Sequence, residues 1–152
     1  MSSNVFTYGS LAIPQVMELV TQSEFQHEVS TLLGYERFLL RERTYPGIIE
    51  NRGERTIGRV YFAVSDEALR RLDYFEDDCY TGEIVEPILD NGSTLQAFAY
   101  VVPSDQRRLL TNKPWDEKSF VAEKLDSYLL QAQRWMKDYS ADSSTNAHEN
   151  RR

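Results

Sequence analysis

A single carboxylate, that of Glu76, falls where a folded protein normally buries apolar side chains. The segment before it has the spacing of an amphipathic helix, and at about 100° per residue Leu69, Leu72 and Glu76 share one side of that helix. Asp77 and Asp78 are predicted to point away from that side. Burying a carboxylate costs free energy unless the group is hydrogen-bonded or used in chemistry. Glu76 is therefore either a general base or a helix-end residue bonded to a nearby backbone or tyrosine, and its position alone favours the second role.

The other candidate is the corner Tyr8-Gly9-Ser10, which follows a predicted strand near the start of the chain. Glycine often ends a strand because it accepts backbone conformations that other residues avoid. An abrupt turn directly after a tyrosine can also hold a ligand. The corner lacks the G-x-S-x-G pattern of a nucleophile elbow and the G-x-x-x-x-G-K pattern of a phosphate loop. The pattern therefore predicts neither a serine nucleophile nor a bound phosphate here.

The composition argues against several common kinds of site. Cys79 is the only cysteine, which excludes an intrachain disulfide framework, and no basic neighbour activates its thiol. The two histidines, His27 and His148, are too few and too far apart for a zinc cluster with cysteine, and a Ser-His-Asp triad would rest on His27 alone. The 24 acidic residues show no calcium-loop spacing. We predict neither a metal nor a cofactor.

Charge and hydropathy argue against two classes of partner. The net charge is −7 and no basic block is longer than a pair, so nucleic acid is not a predicted partner. No apolar run reaches the length of a membrane span, about 18 residues, and the first residues lack the basic and apolar regions of a signal peptide. We predict a cytoplasmic protein that does not bind a membrane. The sequence leaves the oligomeric state open.

Apolar periodicity and turn residues predict the elements that carry Glu76 and the corner. The predicted strands lie at 5–8, 29–41, 57–64, 80–89 and 94–102, and the first and last predicted helices at 14–20 and 116–137. The helix between them begins at Asp66, runs through Ala68, Leu69, Leu72 and Phe75, and carries Glu76 on its apolar side. Ser65 is a natural N-cap for the second helix, and Asp66 and Glu67 suit its first turn. Tyr45-Pro46-Gly47 is predicted as a turn or an extended corner. Asp90-Asn91-Gly92-Ser93 has the chemistry of a hairpin turn between the last two strands.

The order of these elements lacks a regular alternation of strand and helix, and it predicts an α+β fold rather than an open doubly wound sheet. A small, strongly curved mixed sheet or β-barrel flanked by helices fits that order best. At 152 residues we expect one domain, covering residues 1–139. Residues 140–152 carry almost nothing apolar and are predicted to form a disordered polar tail.

Three stretches taken together resemble the γ-glutamylcyclotransferase-like family, in particular its γ-glutamylamine cyclotransferase and plant avirulence-induced-gene-like branch. They are YGSL at 8–11, YPGI at 45–48 and LDYFEDDCY at 72–80. YGSL alone is only suggestive, but it is specific when an LDxFEDxxY stretch follows some sixty residues later. The order and spacing match over roughly residues 4–130. The resemblance implies a small β-barrel flanked by helices, with a cavity at one end.

The resemblance also implies roles for individual residues. Glu76 matches the general acid/base of the family. The family's loop that holds the glutamyl end of the substrate with backbone N–H groups matches Tyr8, Gly9, Ser10, Leu11, Ala12 and Ile13. Tyr100 matches a pocket tyrosine on a late strand, and Tyr45 and Tyr80 are further candidates. Many members have glycine where this chain has Asp77, although plant-type members tolerate aspartate. Because the family's catalytic position coincides with the out-of-pattern carboxylate, a catalytic role for Glu76 is now favoured.

In the reaction that the resemblance implies, the α-amine of a γ-glutamyl amide attacks its own γ-carbonyl, 5-oxoproline forms, and an amine or amino acid leaves. The attack is intramolecular, so the protein must position the substrate and move protons but needs no nucleophile. A corner with glycine can direct backbone N–H groups at a carboxylate or oxyanion, and a side chain at Gly9 would crowd it. The expected partner is a small γ-glutamyl substrate, either a dipeptide or a γ-glutamylamine. The alternatives are a non-catalytic protein that binds a small carboxylate in the same pocket, and an interaction module that uses the long helix.

Overall fold

The computed structural model of the protein describes residues 2–140, so the tail predicted at 140–152 lies outside the described residues except for Ser140. Ten strands and α-helices occur in this part of the chain: β1 (Ser2–Thr7), α1 (Pro14–Thr21), β2 (His27–Leu39), β3 (Pro46–Ser65), α2 (Asp66–Phe75), β4 (Thr81–Val85), β5 (Ile88–Leu89), β6 (Ala97–Val101), α3 (Glu117–Glu123) and α4 (Leu125–Met136). Two 3₁₀ helices, Ser10–Ala12 and Ser104–Leu109, lie between them. Within residues 2–140, no helix combines the length and the hydropathy that a transmembrane helix needs.

The six strands form one mixed sheet with the order β4-β6-β1-β3-β2-β5. β1 and β6 are parallel, and the other neighbours are antiparallel. β4 and β5 lie at opposite edges although only Glu86 and Pro87 separate them in the chain. Three Cα–Cα steps span at most about 11 Å, so the sheet has to curl until its edges approach each other. The predicted α+β class is confirmed, but the sheet is not closed; Pro87 has no N–H to donate across the gap.

The strand predicted at 80–89 is split between the two edges of the sheet. Its first part, β4, pairs with β6 as the predicted hairpin requires. After Pro87 its second part, β5, pairs with Ser30 and Thr31 of β2. The Asn-Gly turn that follows still forms, with Gly92 at a φ of 87°. The local pattern does not reveal this exchange of partners because β2 is distant in the chain.

The long helix predicted at 116–137 is divided into α3 and α4. Lys124 lies between them with φ −128° and ψ −13°. Phe120 and Leu125 are both buried on either side of the break. On one continuous helix these two side chains would point about 140° apart. The break therefore lets both of them pack into the core.

The buried residues form two clusters, and the chain moves from one to the other just after β1. Val5 belongs to the cluster that α1, α2 and α4 cover, whereas Phe6 belongs to the second cluster, since successive side chains of a strand point to opposite faces. Tyr8 continues the second cluster, and Leu11 packs in the first. The corner after β1 therefore lies between the two clusters.

Candidate active site

The corner after β1 forms a 3₁₀ turn that packs against the start of β3. Gly9 has φ −127° and ψ −135°, and Ser10–Ala12 form the turn. A Cβ at Gly9 would lie 2.8 Å from both Cγ and Cδ of Pro46. Glycine is therefore required here for space rather than for a left-handed backbone. This contact joins the YGSL and YPGI stretches. A side chain at Gly9 would therefore collide with Pro46 of the protein and not only with a bound ligand.

Three side chains from β2 and β3 hold this corner by its carbonyl oxygens. Arg37 donates to Tyr8 at 2.6 Å, Tyr61 to Leu11 at 2.8 Å and Arg59 to Ala12 at 3.0 Å. Within the turn, the N–H of Ala12 donates to the carbonyl of Gly9, and the N–H of Ile13 donates to that of Ser10. The C=O and N–H of a trans peptide point in opposite directions. The N–H of Gly9, which shares a peptide with the Tyr8 carbonyl, therefore faces away from Arg37.

Glu76 lies directly after the last residue of α2. Ser65 caps the start of this helix as predicted, with its Oγ accepting from the N–H of Ala68 at 3.1 Å. The helix ends at Phe75, and Glu76 takes an extended conformation with φ −70° and ψ 149°. Its N–H still donates to the carbonyl of Leu72 at 2.9 Å. The Glu76 side chain is half-buried.

Asp77 lies inside the protein, and the prediction that it points away from the buried side is wrong. The prediction assumed that the helix continues, whereas α2 ends at Phe75. The extended backbone at Glu76 turns Asp77 inward, where it is only 8% exposed. Its Oδ2 accepts from the hydroxyl of Tyr45 at 2.7 Å and from Nε of Arg43 at 3.3 Å. Asp77 thus links the end of α2 to the connection between β2 and β3.

One cavity brings together most of the predicted site residues. It opens to solvent on one side, and water-sized spheres can occupy about 30 Å³ of it. The predicted residues that line it are Tyr8, Gly9, Ser10, Leu11, Tyr45, Glu76, Tyr80 and Tyr100. Ala12 and Ile13 are buried but do not line it. The structure adds Phe6, Thr7, Pro46, Phe75 and Tyr128 to the lining.

Four tyrosine hydroxyls around the cavity donate their hydrogens to the protein. Tyr8 donates to the carbonyl of Tyr100 at 2.6 Å, Tyr80 to that of Pro46 at 2.6 Å, Tyr45 to Asp77, and Tyr100 to Asp73. Burial raises the pKa of Tyr8, Tyr80 and Tyr100 well above the ordinary value of 10.0, and the charge of Glu76 contributes to the rise in each. These three hydroxyls therefore stay protonated. Because all four hydroxyls donate their hydrogens to the protein, their oxygens can only accept hydrogen bonds from a ligand.

Glu76 is the carboxylate among the residues that line the cavity. The nearby Cys79 is half-buried, and burial, followed by the charges of Asp77 and Glu76, raises the pKa of its thiol from 9.0 to about 12. Cys79 therefore stays a thiol, as its lack of a basic neighbour predicts. The arrangement can bind a small molecule and exchange a proton with it at Glu76.

The sequence pattern does not identify Tyr128 of α4 as a site residue. Its hydroxyl lies 2.9 Å from Oγ of Ser10 and joins α4 to the corner. One sequence feature could have identified Tyr128: it places a hydroxyl on an otherwise apolar helix face. A buried tyrosine hydroxyl needs a hydrogen-bond partner. For Asp77 the signal is an acid at a position where many members of the resembled family have glycine.

Known proteins resemble this chain in sequence and in fold. Residues 5–117 match the family model described as gamma-glutamyl cyclotransferase, AIG2-like. AIG2-like protein D of Arabidopsis thaliana is 37% identical over 100 residues, which are 64% of this chain and 66% of that relative, so the match spans about two thirds of the relative's length. A solution structure from Arabidopsis thaliana superposes with a TM-score of 0.68 at 28% identity, covering 95% of this chain and 89% of that one.

A solved gamma-glutamyl cyclotransferase is more distant in sequence but has the same fold. It superposes with a TM-score of 0.60 at 15% identity, covering 99% of this chain and 98% of that chain. The family model runs from β1 to the start of α3 and covers every residue that lines the cavity except Tyr128 of α4. The chain therefore belongs to the gamma-glutamyl cyclotransferase, AIG2-like family.

Proposed function

We propose that this protein is a γ-glutamyl cyclotransferase, which cyclises a γ-glutamyl amide to 5-oxoproline and releases an amine or amino acid, with Glu76 as the general acid/base. The observation that carries the proposal is one cavity lined both by Glu76 and by the corner at 8–11. Membership of the family supports the same class of reaction.

The lining suits the ammonium end of a γ-glutamyl substrate. The four tyrosine oxygens act as acceptors because their hydrogens are donated elsewhere. Glu76 adds a negative charge to these acceptors. A primary ammonium brings a positive charge and three N–H donors, so it matches both features. The N–H groups of the corner at 8–11 suit the α-carboxylate, or the oxyanion that forms at the γ-carbonyl.

The reaction needs two proton transfers from the α-nitrogen to the leaving nitrogen. Glu76 takes the first proton from the α-ammonium, and the free amine then attacks the γ-carbonyl carbon to form the ring C–N bond. Glu76 returns this proton to the leaving nitrogen as the γ-amide C–N bond breaks. The second proton follows the same route, so the leaving group departs as an ammonium and the carboxylate is regenerated. Holding the substrate folded for an intramolecular attack supplies much of the acceleration.

Release of 5-oxoproline from a panel of γ-glutamyl dipeptides and γ-glutamylamines tests this proposal. Glu76→Gln keeps the size of the side chain but removes the base, and we expect turnover to fall by about 10²- to 10⁴-fold. Glu83→Gln, at an exposed position of β4, is the matched control and should keep wild-type turnover. The melting temperature of each variant monitors the fold.

Two results would contradict the proposal in different ways. Normal turnover by a folded Glu76→Gln variant would rule out Glu76 as the acid/base. A wild-type protein that binds 5-oxoproline but is silent across the panel would be a non-catalytic protein that binds small carboxylates in the same pocket. The retained carboxylate of Glu76 argues against such a binder, because a buried anion opposes the binding of another anion.

A further inference from the structure

Asp77 accepts hydrogen bonds from three donors on different parts of the chain. Its Oδ2 accepts from the Tyr45 hydroxyl at 2.7 Å and from Nε of Arg43 at 3.3 Å. Its Oδ1 accepts from the backbone N–H of Asp78 at 2.9 Å. We name this set the Asp77 bridge. It fixes the backbone immediately after Glu76 to the connection between β2 and β3.

A carboxylate is the group that can satisfy all three donors. An asparagine at this position has one acceptor oxygen and one NH₂ group, which only donates. In one orientation the asparagine oxygen faces Tyr45 and Arg43, and its NH₂ group faces the N–H of Asp78, which is also a donor. In the other orientation the NH₂ group faces Arg43, which is a donor as well. The first orientation leaves the N–H of Asp78 without its acceptor, and the second turns two donors, the NH₂ group and the partly exposed Arg43, toward each other. Asparagine therefore cannot keep all three hydrogen bonds of the bridge.

The carboxylate at the centre of the bridge lies beside the cavity but outside it. Tyr45 lines the cavity that contains Glu76, whereas Asp77 does not. Arg43 and Asp77 line a neighbouring groove instead, so the bridge is part of the wall between the two spaces. Asp77 is thus placed to act on the cavity through Tyr45 and through the backbone of Glu76, without touching a substrate.

We propose that Asp77 is a positioning residue, whose carboxylate holds Glu76 and the acceptor oxygen of Tyr45 in place around one cavity. The inference rests on the proposed function and adds a residue to its site. The N–H of Glu76 is fixed from the other side by Leu72, so the bridge and α2 together define where the general base stands. The two side-chain hydrogen bonds of the bridge, from Tyr45 and from Arg43, differ in burial. Tyr45 is buried, whereas the Arg43 side chain is 40% exposed. Exposed ion pairs contribute little to stability, so the hydrogen bond from Tyr45 does more to hold the bridge together than the one from Arg43.

Steady-state kinetics of Asp77→Asn test the bridge. We expect kcat to fall about 10- to 100-fold, because a misplacement of about 1 Å is enough for such a loss, while KM changes much less. Asp90→Asn removes the same charge at an exposed position outside the bridge and should stay close to wild type. Tyr45→Phe should lower kcat less than Asp77→Asn does. In the double variant the two losses should not add, because both substitutions break one unit.

Hydrogen exchange of the backbone provides a readout that does not depend on turnover. Asp77→Asn should raise exchange at residues 42–45 and 76–80 while the protein stays folded, and Tyr45→Phe should do so to a smaller extent. A wild-type chain that releases no 5-oxoproline would defeat the proposed function, yet this exchange pattern would still support the bridge. Unchanged exchange, or unchanged kcat in a folded Asp77→Asn variant of an active enzyme, would overturn it. If Asp77→Asn does not fold, the same two readouts on Tyr45→Phe decide the question.

Discussion

Two neighbouring stretches of β3 have opposite characters. Residues 46–49 are all buried, and Pro46 contacts the corner at Gly9 and accepts a hydrogen bond from Tyr80. Residues 50–55 are all exposed. Between the pairs Leu33–Arg55 and Tyr35–Glu50, the four residues at 51–54 oppose only Gly34 of β2. We name residues 51–54 the β3 bulge.

Glycine has a different purpose in each of these regions. Gly9 has an ordinary φ of −127°, but a side chain there would meet Pro46. Gly53 in the β3 bulge has a φ of 92°, yet no atom beyond its two chain neighbours lies within 4 Å of where its Cβ would be. Beside the cavity, glycine is therefore required by a close contact, and in the β3 bulge it is required by the backbone torsion angle. Added volume should damage the first region, whereas the second should respond only to backbone strain.

The largest expected difference between the two regions is in the reactivity of a cysteine thiol placed in each. The pKa of Cys79, beside the cavity, is raised by burial from 9.0 to about 12. At pH 8 its thiolate fraction should be about 1000-fold lower than in an unfolded chain, since each pKa unit is a factor of ten. Iodoacetamide labelling of native and unfolded protein, followed by mass spectrometry, measures the ratio. In a Cys79→Ala background, Asn51→Cys in the β3 bulge should react at the rate of a free cysteine.

The same pKa shift has a defined effect on stability. The folded protein holds the proton of Cys79 more tightly than the unfolded chain does, because the pKa is higher in the folded state. The protonated thiol therefore contributes to the free energy of unfolding below pH 9. This contribution is lost as the pH rises from 9.0 toward about 12. Cys79→Ala should flatten this part of the pH profile of the free energy of unfolding. Rapid labelling of native Cys79 at pH 8 would contradict both expectations and would show that water reaches this side of the cavity.

A methyl group at Gly9 should have the next largest effect. In Gly9→Ala the new Cβ must push the Pro46 ring away, and forcing volume into a packed site typically costs about 1–3 kcal/mol. We expect urea unfolding to show this loss and 5-oxoproline release to fall about 10- to 100-fold, because the corner moves relative to Glu76. Adding Pro46→Ala should restore part of both losses by making room. A Gly9→Ala protein with unchanged stability and activity would show that the corner is not held by this contact.

The sequence predicts those parts of the site that depend on local pattern. The cap at Ser65 and the position of Glu76 beside Leu72 follow from residues within one or two helical turns. The inward turn of Asp77 depends on where α2 ends, which the apolar periodicity does not mark. The pairing of β5 with β2 and the bond between Tyr128 and Ser10 join residues far apart in the chain. Such contacts depend on the curvature of the whole sheet and on helix packing, so a local pattern cannot show them.

Alanine at Gly53 should have the smallest effect and thereby tests whether the two stretches of β3 are independent. A residue with a side chain at a φ of 92° is strained, at a cost of about 1–2 kcal/mol, although no neighbour obstructs the Cβ. Urea unfolding should show this loss, while 5-oxoproline release by the folded protein stays within about twofold of wild type, as for surface changes away from a site. Gly53→Asn should lose less stability, because asparagine accepts positive φ more readily. A loss of turnover in folded Gly53→Ala comparable to that of Gly9→Ala would mean that strain in the β3 bulge reaches Pro46 along the strand. The cavity would then depend on the backbone of β3 as a whole rather than on its local contacts.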